Sequence, residues 1–406
     1  MKYFKTDGIR GKTNELITPK LLFKIGRSLD ALSCKELYIG YDSRYYGRKL
    51  LLSLAIGAES KGIRIINLGV ITTPGVMYYS LINKAIGVSI TASHNQYYDN
   101  GVKIFLNGEK IDDDIENKIE ERIDKEKYDE FSYKKFKEIK PKLYLSLLNS
   151  FREECSYKFV VDCSNGASSF YAKKIFKHTI ASKPNGKNIN ARVGSTNINY
   201  LIEYLNKHKY DYGFALDGDG DRVILADKNK AYYGDDLLYL IIKYYSDLGL
   251  KIKNVGMSRM SNIGVVEKIK ELCEVSICDV GDKNLKKFAY GAEPSGHLII
   301  KSIAPYADGM LMILLLNKII SFYKKPLDKL FLYERYEELN YNIDLCNVNR
   351  NENEINDFIN NISNENIENI IIRKSGTENV LRVHISSRRK AEIYKYKKTI
   401  DEFLGG

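Results

Sequence analysis

The segment DGDGDR is the part of the sequence whose residue types are best suited to binding a cation. Asp217, Asp219 and Asp221 alternate with glycines, and Arg222 ends the segment. In an extended chain, alternate side chains face one side, so we expect the three carboxylates to converge. Their mutual repulsion requires a positive partner, and a few all-oxygen ligands favour Mg²⁺. An EF-hand is excluded, because Arg222 and Lys228 occupy its glycine and bidentate-glutamate positions.

Four further polar loops each follow or join a predicted strand. In α/β sheets, ligands gather at the carboxyl ends of strands, so the loops predict one shared site. Taken singly, TDGIRG is better explained by an ordinary turn, and GAEPSGH is equally compatible with one. The four segments are TDGIRG (6–11), TASHNQYYDNGVKIF (91–105), GAEPSGH (291–297) and RKSGTENVLR (373–382).

The side chains in these loops are suited to phosphate and sugar chemistry. Ser93 can act as a nucleophile if it is activated or already carries the transferred group. It does not form a triad with His94, because neighbouring side chains in a strand point in opposite directions. Arg10 offers a bidentate fork for a phosphate or carboxylate. Glu293 and Ser295 offer an acceptor and a hydroxyl for sugar hydroxyls.

The last loop has the composition of a phosphate cradle. Hydroxyls, glycine N–H groups and guanidinium forks together bind phosphate oxygens, and arginines at both flanks disfavour a simple hairpin turn. The residues concerned are Arg373, Ser375, Gly376, Thr377 and Arg382.

The elements that carry these loops alternate between strands and helices. Leu22, Ile25 and Leu29 recur at helical spacing after Thr18-Pro19, and short β-rich runs such as Glu36–Asp42 follow. This rhythm restarts twice and predicts an α/β protein with three α/β domains and a smaller C-terminal α+β domain. The predicted domains are 1–150 with the serine loop, 151–250 with the acidic loop, 251–331 with the sugar loop, and 332–406 with the phosphate loop.

Length and charge limit the class of protein. A chain of 406 residues exceeds a single core, and 44% hydrophobic with 28% charged residues is typical of a globular protein. The net charge of +11 suits anionic small molecules or reflects solvated faces. Acidic residues interleave the lysines, and no nucleic-acid motif or stacking platform is present, so we expect no nucleic-acid partner.

The cysteines and apolar runs predict a cytoplasmic protein without a membrane partner. Six cysteines lack any C-x-x-C pair, and Cys163 and Cys278 lie in apolar runs where buried thiols are expected. The opening MKYFKTDGIRGK has no apolar signal region. The run MLMILLL near Met310 is too short to cross a bilayer and predicts a buried helix.

Taken together, the motifs resemble those of the α-D-phosphohexomutases. Ser-His-Asn, DGDGDR, E-x-SGH and R-x-SGTE occur in that family's order across nearly the whole chain. TDGIRGKTN and YYDNGVKIF are most similar to the bacterial members that act on glucosamine phosphates. The resemblance implies three α/β domains with mixed sheets and a smaller α+β domain around a central cleft. It also implies a phosphosugar substrate.

The resemblance further implies a phosphoserine mechanism with Mg²⁺ as cofactor. Ser93 would carry a phosphoryl group, and Mg²⁺ would be held by Asp217, Asp219, Asp221 and a phosphate oxygen on Ser93. Glucosamine 6-phosphate and glucosamine 1-phosphate would interconvert through glucosamine 1,6-bisphosphate, which serves as intermediate and activator. The product would supply UDP-N-acetylglucosamine synthesis.

The remaining motif positions carry implied roles in the same reaction. Arg10 and Lys103 lie near the transferring phosphate, with Lys103 a candidate for proton transfer or charge stabilisation. His94 positions the serine loop, and Arg222 supports the metal loop. The sugar-binding positions are Glu293 and Ser295, with His297 at the loop's end. The non-reacting phosphate is clamped by Arg373, Ser375, Gly376, Thr377 and Arg382.

The sequence departs from the family pattern at four positions. Lys5 and Gln96 replace a usual glycine and proline, Pro294 replaces a usual glutamine in the sugar loop, and Lys283 replaces an arginine. Losing proline removes rigidity, and a lysine lacks the bidentate fork, so we expect a slower rate or broader specificity. Substrate choice between glucosamine and mannose or glucose phosphates stays open.

Other readings of the motifs are separable by experiment. The nearest is the same reaction on mannose or glucose phosphates. A Mg²⁺ phosphatase with an aspartate nucleophile would also use a D-x-D pair, but it has no need for the serine and SGTE loops. A basic nucleic-acid-binding protein would bind random DNA in a salt-sensitive way. We expect a monomer or homodimer whose last domain closes over the phosphosugar.

Overall fold

The computed structural model describes residues 2–5, 7–129, 132–348, 350–363, 369–374 and 379–405. Within them lie four β-sheets, three of mixed direction and one antiparallel, each covered by helices. The predicted fold class is therefore confirmed. None of the helices in these ranges is long and apolar enough to cross a membrane.

The first sheet contains strands β1 (Ile9–Lys12), β2 (Glu36–Tyr41), β3 (Arg64–Val70), β4 (Ile86–Ile90), β5 (Asp99–Leu106) and β6 (Glu109–Lys110). Their order is β1-β5-β4-β2-β3, with β6 beside β5. Strands β2, β3 and β4 are parallel, while β5 runs antiparallel to β1 and β4. The carboxyl ends of β2 and β4 therefore lie at one edge, where the serine loop follows β4.

The helices of this section are α1 (Pro19–Ser28), α2 (Gly47–Glu59), α3 (Thr73–Asn83), α4 (Asp113–Lys125) and α5 (Lys142–Ser150). The predicted start of α1 is confirmed, because the Thr18 side chain accepts a hydrogen bond from the Leu21 N–H at 3.1 Å. The charged helix α4 is amphipathic rather than wholly exposed. Its residues Ile119 and Ile123 are buried in the same core as α1 and the first sheet.

The second sheet contains β7 (Phe159–Asp162), β8 (Thr179–Ile180), β9 (Tyr212–Leu216), β10 (Val223–Ala226) and β11 (Ala231–Tyr232). The order is β11-β10-β9-β7-β8, in which β7 is parallel to β8 and β9, and β9 and β10 form a hairpin. The DGDGDR segment connects the hairpin strands. The helices of this section are α6 (Ala172–Ile175) and α7 (Ile198–Lys207).

The third sheet contains β12 (Asn254–Ser258), β13 (Glu274–Cys278), β14 (Tyr290–Ala292) and β15 (Leu298–Ile300), in the order β13-β12-β14-β15. Cys278 lies on the edge strand and is only half-buried, so its predicted burial is wrong, whereas Cys163 is buried as predicted. All six cysteines are free thiols. The helices are α8 (Gly234–Asp247), α9 (Ile263–Lys270), α10 (Asp282–Leu285) and α11 (Gly309–Tyr323).

The fourth sheet contains β16 (Glu337–Asp344), β17 (Asn369–Lys374) and β18 (Val380–Ser387), covered by α12 (Glu352–Ser363) and α13 (Lys390–Gly405). All pairings are antiparallel, in the order β16-β18-β17. One face packs on the helices through residues such as Leu381, Val383 and Ile385. The opposite face presents Arg373, Arg382 and His384 to a cavity.

Core packing unites the first three sheets and separates the fourth. A single apolar cluster contains residues of all three sheets, including Tyr38, Phe214 and Val255, whereas the fourth sheet has its own cluster. Helix α11 is buried as predicted, and it packs on β9 and β10 of the second sheet. Because this helix crosses between sections, the boundaries at residues 150, 250 and 331 stay predictions.

Candidate active site

The acidic segment forms a tight turn between β9 and β10. Asp217 Oδ1 accepts from the N–H groups of Gly220 at 3.0 Å and Arg222 at 3.3 Å, and Gly220 has a φ of +76°. The carboxylates thus converge because the turn folds back around Asp217. The predicted extended conformation is wrong, since a hairpin that pairs Leu216 with Val223 needs a reversal here.

The three carboxylates fit a hard divalent cation. One oxygen from each of Asp217, Asp219 and Asp221 lies within 4.8 Å of the others, and all three side chains are buried. Asp219 Oδ1 and Asp221 Oδ1 are buried without a hydrogen-bond partner among the described residues, which is costly unless an ion or proton satisfies them. Burial and the two neighbouring carboxylates raise the pKa of Asp217 well above its ordinary value. A bound cation would satisfy these oxygens and offset the repulsion between the three carboxylates.

Lys103 is the cation next to the acidic turn. Its Nζ lies 2.9 Å from Asp219 Oδ2, 2.7 Å from Asp221 Oδ2 and 3.4 Å from Asp7 Oδ2. Burial alone would lower the pKa of Lys103, but the three carboxylates hold it well above its ordinary value. Lys103 is therefore an ammonium held between these three carboxylates.

Ser93 faces the acidic turn from the loop after β4. Its Oγ donates to Asp217 Oδ2 at 2.6 Å and is buried. The Nδ1 atom of His94 is 3.5 Å from Ser93 Oγ. The nearby charge of Arg222, together with burial and Arg10, lowers the pKa of His94 to about 2. His94 is thus a neutral imidazole in the serine loop, next to Ser93.

Two buried side chains that were not predicted from the sequence hold the serine loop by donating hydrogen bonds to its carbonyls. Arg44 donates to the carbonyls of Ser93 at 2.8 Å and Asn95 at 2.9 Å. Asn190 donates to the same two carbonyls at 2.9 and 3.0 Å. Arg44 follows the carboxyl end of β2, so strand position could have revealed it. Asn190 lies in a long irregular loop, and its sequence gives no such signal.

A cavity of about 760 Å³ lies above the serine loop and is bordered by all four sections. It brings together seven predicted site residues: Arg10, His94, Arg222, Glu293, Ser295, Arg373 and Arg382. Among the described residues, its border includes six cationic side chains and four carboxylates, so it suits an anionic ligand. The predicted Ser375, Gly376 and Thr377 lie outside the described residues.

The sugar loop presents a fixed carboxylate to the cavity. Glu293 Oε1 accepts from the Gly281 N–H at 2.7 Å, and Oε2 accepts from Ser295 Oγ at 3.1 Å. Pro294 also borders the cavity. His297 lies behind this loop, where its Nε2 is 2.9 Å from Asp282 Oδ1. It borders a smaller neighbouring pocket together with Lys103 and Asp221.

The His297–Asp282 pair predicts a pH-dependent stability. Burial would lower the pKa of His297, but Asp282 raises it to about 9. A histidine with a raised folded-state pKa stabilises fully below about pH 6.5 and loses this effect as pH rises through about 9. We expect His297→Gln to lower the free energy of unfolding by on the order of 3 kcal/mol at pH 6 and by much less at pH 9.5. Urea unfolding at both pH values measures this.

The control for this prediction is His208→Gln, because His208 is exposed on the surface of the second section. That variant should change stability little at either pH. Equal destabilisation of His297→Gln at pH 6 and pH 9.5 would contradict the charged pair.

The departures from the family pattern have different surroundings. Lys283 pairs with Asp113 and, at 2.8 Å, with Glu116 of α4, so its ammonium lies outside the cleft. This side chain ties the third section to the first, and the expected slower rate or broader specificity stays a prediction. Lys5 borders the main cavity. The Gln96 carbonyl accepts a hydrogen bond from Arg44.

Three family models match consecutive parts of the chain. They describe the α/β/α domains I, II and III of phosphoglucomutase/phosphomannomutase and match residues 1–130, 137–230 and 233–336. Similar proteins include the phosphoglucosamine mutases of Streptococcus suis, 34% identical over 99% of this chain and 98% of that protein, and Bacillus mycoides, 36% identical over 94% and 93%.

Solved structures share the fold at low sequence identity. A phosphoglucomutase/phosphomannomutase family protein from Burkholderia thailandensis has a TM-score of 0.83 at 19% identity, covering 99% of both chains. An N-acetylphosphoglucosamine mutase from Aspergillus fumigatus, in complex with GlcNAc-6P and magnesium, has a TM-score of 0.63 at 15% identity, covering 99% of this chain and 95% of that one.

Proposed function

The chain belongs to the phosphoglucomutase/phosphomannomutase family, and from this premise we propose that it is a phosphoglucosamine mutase. It interconverts glucosamine 6-phosphate and glucosamine 1-phosphate, for UDP-N-acetylglucosamine synthesis. Relatives with that name are 34–36% identical over nearly the full length, which supports this substrate over mannose or glucose phosphates. Six free thiols support a reducing, cytoplasmic location.

One observation carries the proposal for the reaction. The buried Ser93 Oγ is hydrogen-bonded to a carboxylate of the acidic turn, and the adjoining His94 and Arg222 border a large cationic cavity. A phosphorylated Ser93 would add about 1.5 to 2 negative charges beside three aspartates. Lys103 alone cannot neutralise this charge, which supports a divalent cation held by Asp217, Asp219 and Asp221.

Mg²⁺ at these carboxylates would polarise the phosphoryl group and stabilise the serine oxygen as it leaves. Lys103 lies beside Asp219 and Asp221 as an ammonium and would stabilise the charge that develops on the transferring phosphoryl group. Arg10 and Arg222 border the same end of the cavity and would bind the transferring phosphoryl oxygens. Alignment and charge neutralisation are the main contributions to phosphoryl transfer.

The opposite end of the cavity would hold the phosphate that does not react. Arg373 and Arg382 are cross-strand neighbours on the fourth sheet, and both border the cavity. Burial and the charge of Arg382 lower the pKa of Arg373, so a phosphate between the two guanidiniums would relieve their repulsion. Glu293 is close enough for its charge to act on both Arg222 and Arg373, and together with Ser295 it would bind sugar hydroxyls.

Two phosphate-binding ends support a mechanism with a bisphosphate intermediate. Phosphorylated Ser93 transfers its phosphoryl group to the free 6- or 1-hydroxyl, which forms glucosamine 1,6-bisphosphate. The bisphosphate reorients within the cavity and transfers its other phosphoryl group to Ser93. All the residues required come from one chain, so either a monomer or a homodimer would be active.

The test is a comparison of glucosamine, glucose and mannose phosphates as substrates of one preparation with Mg²⁺. We expect kcat/KM to be highest for the glucosamine phosphates, with ³¹P NMR following both phosphate positions. A higher kcat/KM for mannose or glucose phosphates would reject the substrate but not the phosphoserine chemistry, and it would direct attention to Pro294. Release of inorganic phosphate faster than isomerisation would indicate a phosphatase.

A further inference from the structure

The backbone at Ser93 adopts a conformation that serine rarely takes. Its φ is +51°, in the left-handed region where the side chain of an L-residue is crowded. Such a conformation persists only when its surroundings hold it, and held conformations cluster at functional sites. The contacts that hold this turn therefore decide where the Oγ of Ser93 lies.

Two carbonyls in the turn each accept hydrogen bonds from the same two side chains. Nη2 of Arg44 and Nδ2 of Asn190 both donate to the carbonyls of Ser93 and Asn95, at distances between 2.8 and 3.0 Å. Arg44 is 2% exposed and Asn190 is 1% exposed. The turn is thus held on its buried side by donors that are shielded from solvent.

Arg44 is in turn held by the first sheet. Its Nε donates to Asp42 Oδ2 at 2.8 Å, and the Thr91 hydroxyl donates to the same oxygen at 2.7 Å. The Thr91 hydroxyl also accepts from the N–H of Ser93 at 2.8 Å. Asp42, Arg44 and Thr91 therefore attach one side of the turn to the strands that precede it.

Asn190 comes from the second section and touches both reacting loops. A Cβ at Gly218, inside DGDGDR, would lie 2.6 Å from the Ser93 carbonyl oxygen and 2.8 Å from Asn190 Nδ2. The acidic turn therefore packs directly on the same carbonyl and the same amide. The Asn190 N–H donates to the Ser164 carbonyl at 2.9 Å, which fixes the residue in its own section.

We propose that Asn190 is a positioning residue that holds the serine turn of the first section in register with the acidic turn of the second. Its amide donates to the carbonyls of Ser93 and Asn95, and this sets the position of Ser93 Oγ relative to Asp217. The inference rests on the proposed function, in which Ser93 carries the transferred phosphoryl group. A displacement of about 1 Å in such a group can cost about 100-fold in rate.

The test uses Asn190→Gly as the main variant. Asn190 has a φ of +55°, which glycine adopts without strain, so this change removes the amide donors without adding backbone strain or a buried charge. Asn190→Asp is the second variant, because it keeps the side-chain size and tolerates the same backbone but has no N–H donors. The matched control is Asn206→Ala, since exposed Asn206 donates to two carbonyls, those of Ile202 and Lys228, away from the site.

The first readout is single-turnover transfer from phosphorylated Ser93 to glucosamine 6-phosphate, followed by rapid quench and intact-protein mass. We expect a fall of about 30- to 100-fold in both Asn190 variants and none in the control. The dissociation constant of glucosamine 6-phosphate should change less than about threefold, because Asn190 does not border the cavity. A transfer rate within about threefold of the control, or a matching loss of substrate affinity, would overturn the proposal.

The second readout is amide hydrogen exchange in the peptide that covers residues 91–97. Exchange should be faster there in Asn190→Gly than in Asn206→Ala, and unchanged exchange would also overturn the proposal. This measurement needs no turnover. If wild-type protein gained no phosphoryl group on Ser93 from glucosamine 1,6-bisphosphate, the proposed function would fail, while exchange would still decide whether Asn190 holds the turn.

Discussion

Replacing Ser93 with alanine is expected to reduce mutase turnover by about 10⁵- to 10⁶-fold, which is the scale seen when a catalytic nucleophile is removed. The reason is that Ser93 Oγ, which lies 2.6 Å from Asp217, would carry the phosphoryl group, whereas the nearby Thr73 hydroxyl already donates to Asp219 at 2.7 Å. Incubation with glucosamine 1,6-bisphosphate should add one phosphoryl group to wild-type protein and none to the variant. Turnover assays and intact-protein mass together measure both effects.

The control for this prediction is Ser150→Ala, since Ser150 is exposed at the end of α5, where its hydroxyl donates to the Leu147 carbonyl. It should match wild type in both assays. Ser93→Ala should keep the wild-type unfolding temperature to within a few degrees and still bind glucosamine 6-phosphate. Turnover of Ser93→Ala near the wild-type rate would sink the phosphoserine mechanism.

Removing Mg²⁺ is expected to lower the rate by about 10³-fold or more, because several kcal/mol of transition-state stabilisation would be lost. Asp219→Asn should reproduce much of this loss, since it removes one carboxylate of the triad and the 2.9 Å partner of Lys103. Bound ion should also stabilise wild-type protein by about 2.7 kcal/mol at a hundredfold excess over its Kd. Thermal unfolding with and without Mg²⁺ measures this without any reaction.

Asp211→Asn is the matched control, because this exposed aspartate of the second section accepts a hydrogen bond from the Lys158 N–H, away from the acidic turn. It should keep the Mg²⁺-dependent rise in unfolding temperature that Asp219→Asn loses. If chelation left turnover of the wild-type protein unchanged, the acidic turn would not be a metal site for this reaction.

The predictable parts of the fold are those fixed by local pattern. Thr18-Pro19 marks the start of α1 because capping and proline geometry act within one turn. Strand runs such as Glu36–Asp42 were recognisable from their composition, and the structure assigns β2 to Glu36–Tyr41. The partnership of α11 with the second sheet was not predictable, because it depends on packing between distant segments.

The candidate site divides in a similar way. Asp217, Asp219 and Asp221 could be found because three like charges in six residues demand an explanation, although their turn geometry could not. Lys103 was named from its motif, but its contacts with two aspartates of another sheet needed the structure. Asn190 was missed because one asparagine in an irregular loop has no pattern, and its importance lies in contacts across nearly a hundred residues.

Helix α11 has a consequence for how the protein is made on the ribosome. Strands β9 and β10 are complete once Ala226 is synthesised, but Tyr212 bonds Asn317 and Gly309 packs on Leu216, both through α11. That helix ends roughly a hundred residues later. At a translation rate of about 5–20 residues per second, the apolar face of the second sheet therefore stays uncovered for about 5–20 s until α11 has been synthesised. During this interval the nascent chain exposes a surface that chaperones bind, and a stall between the two segments would favour aggregation.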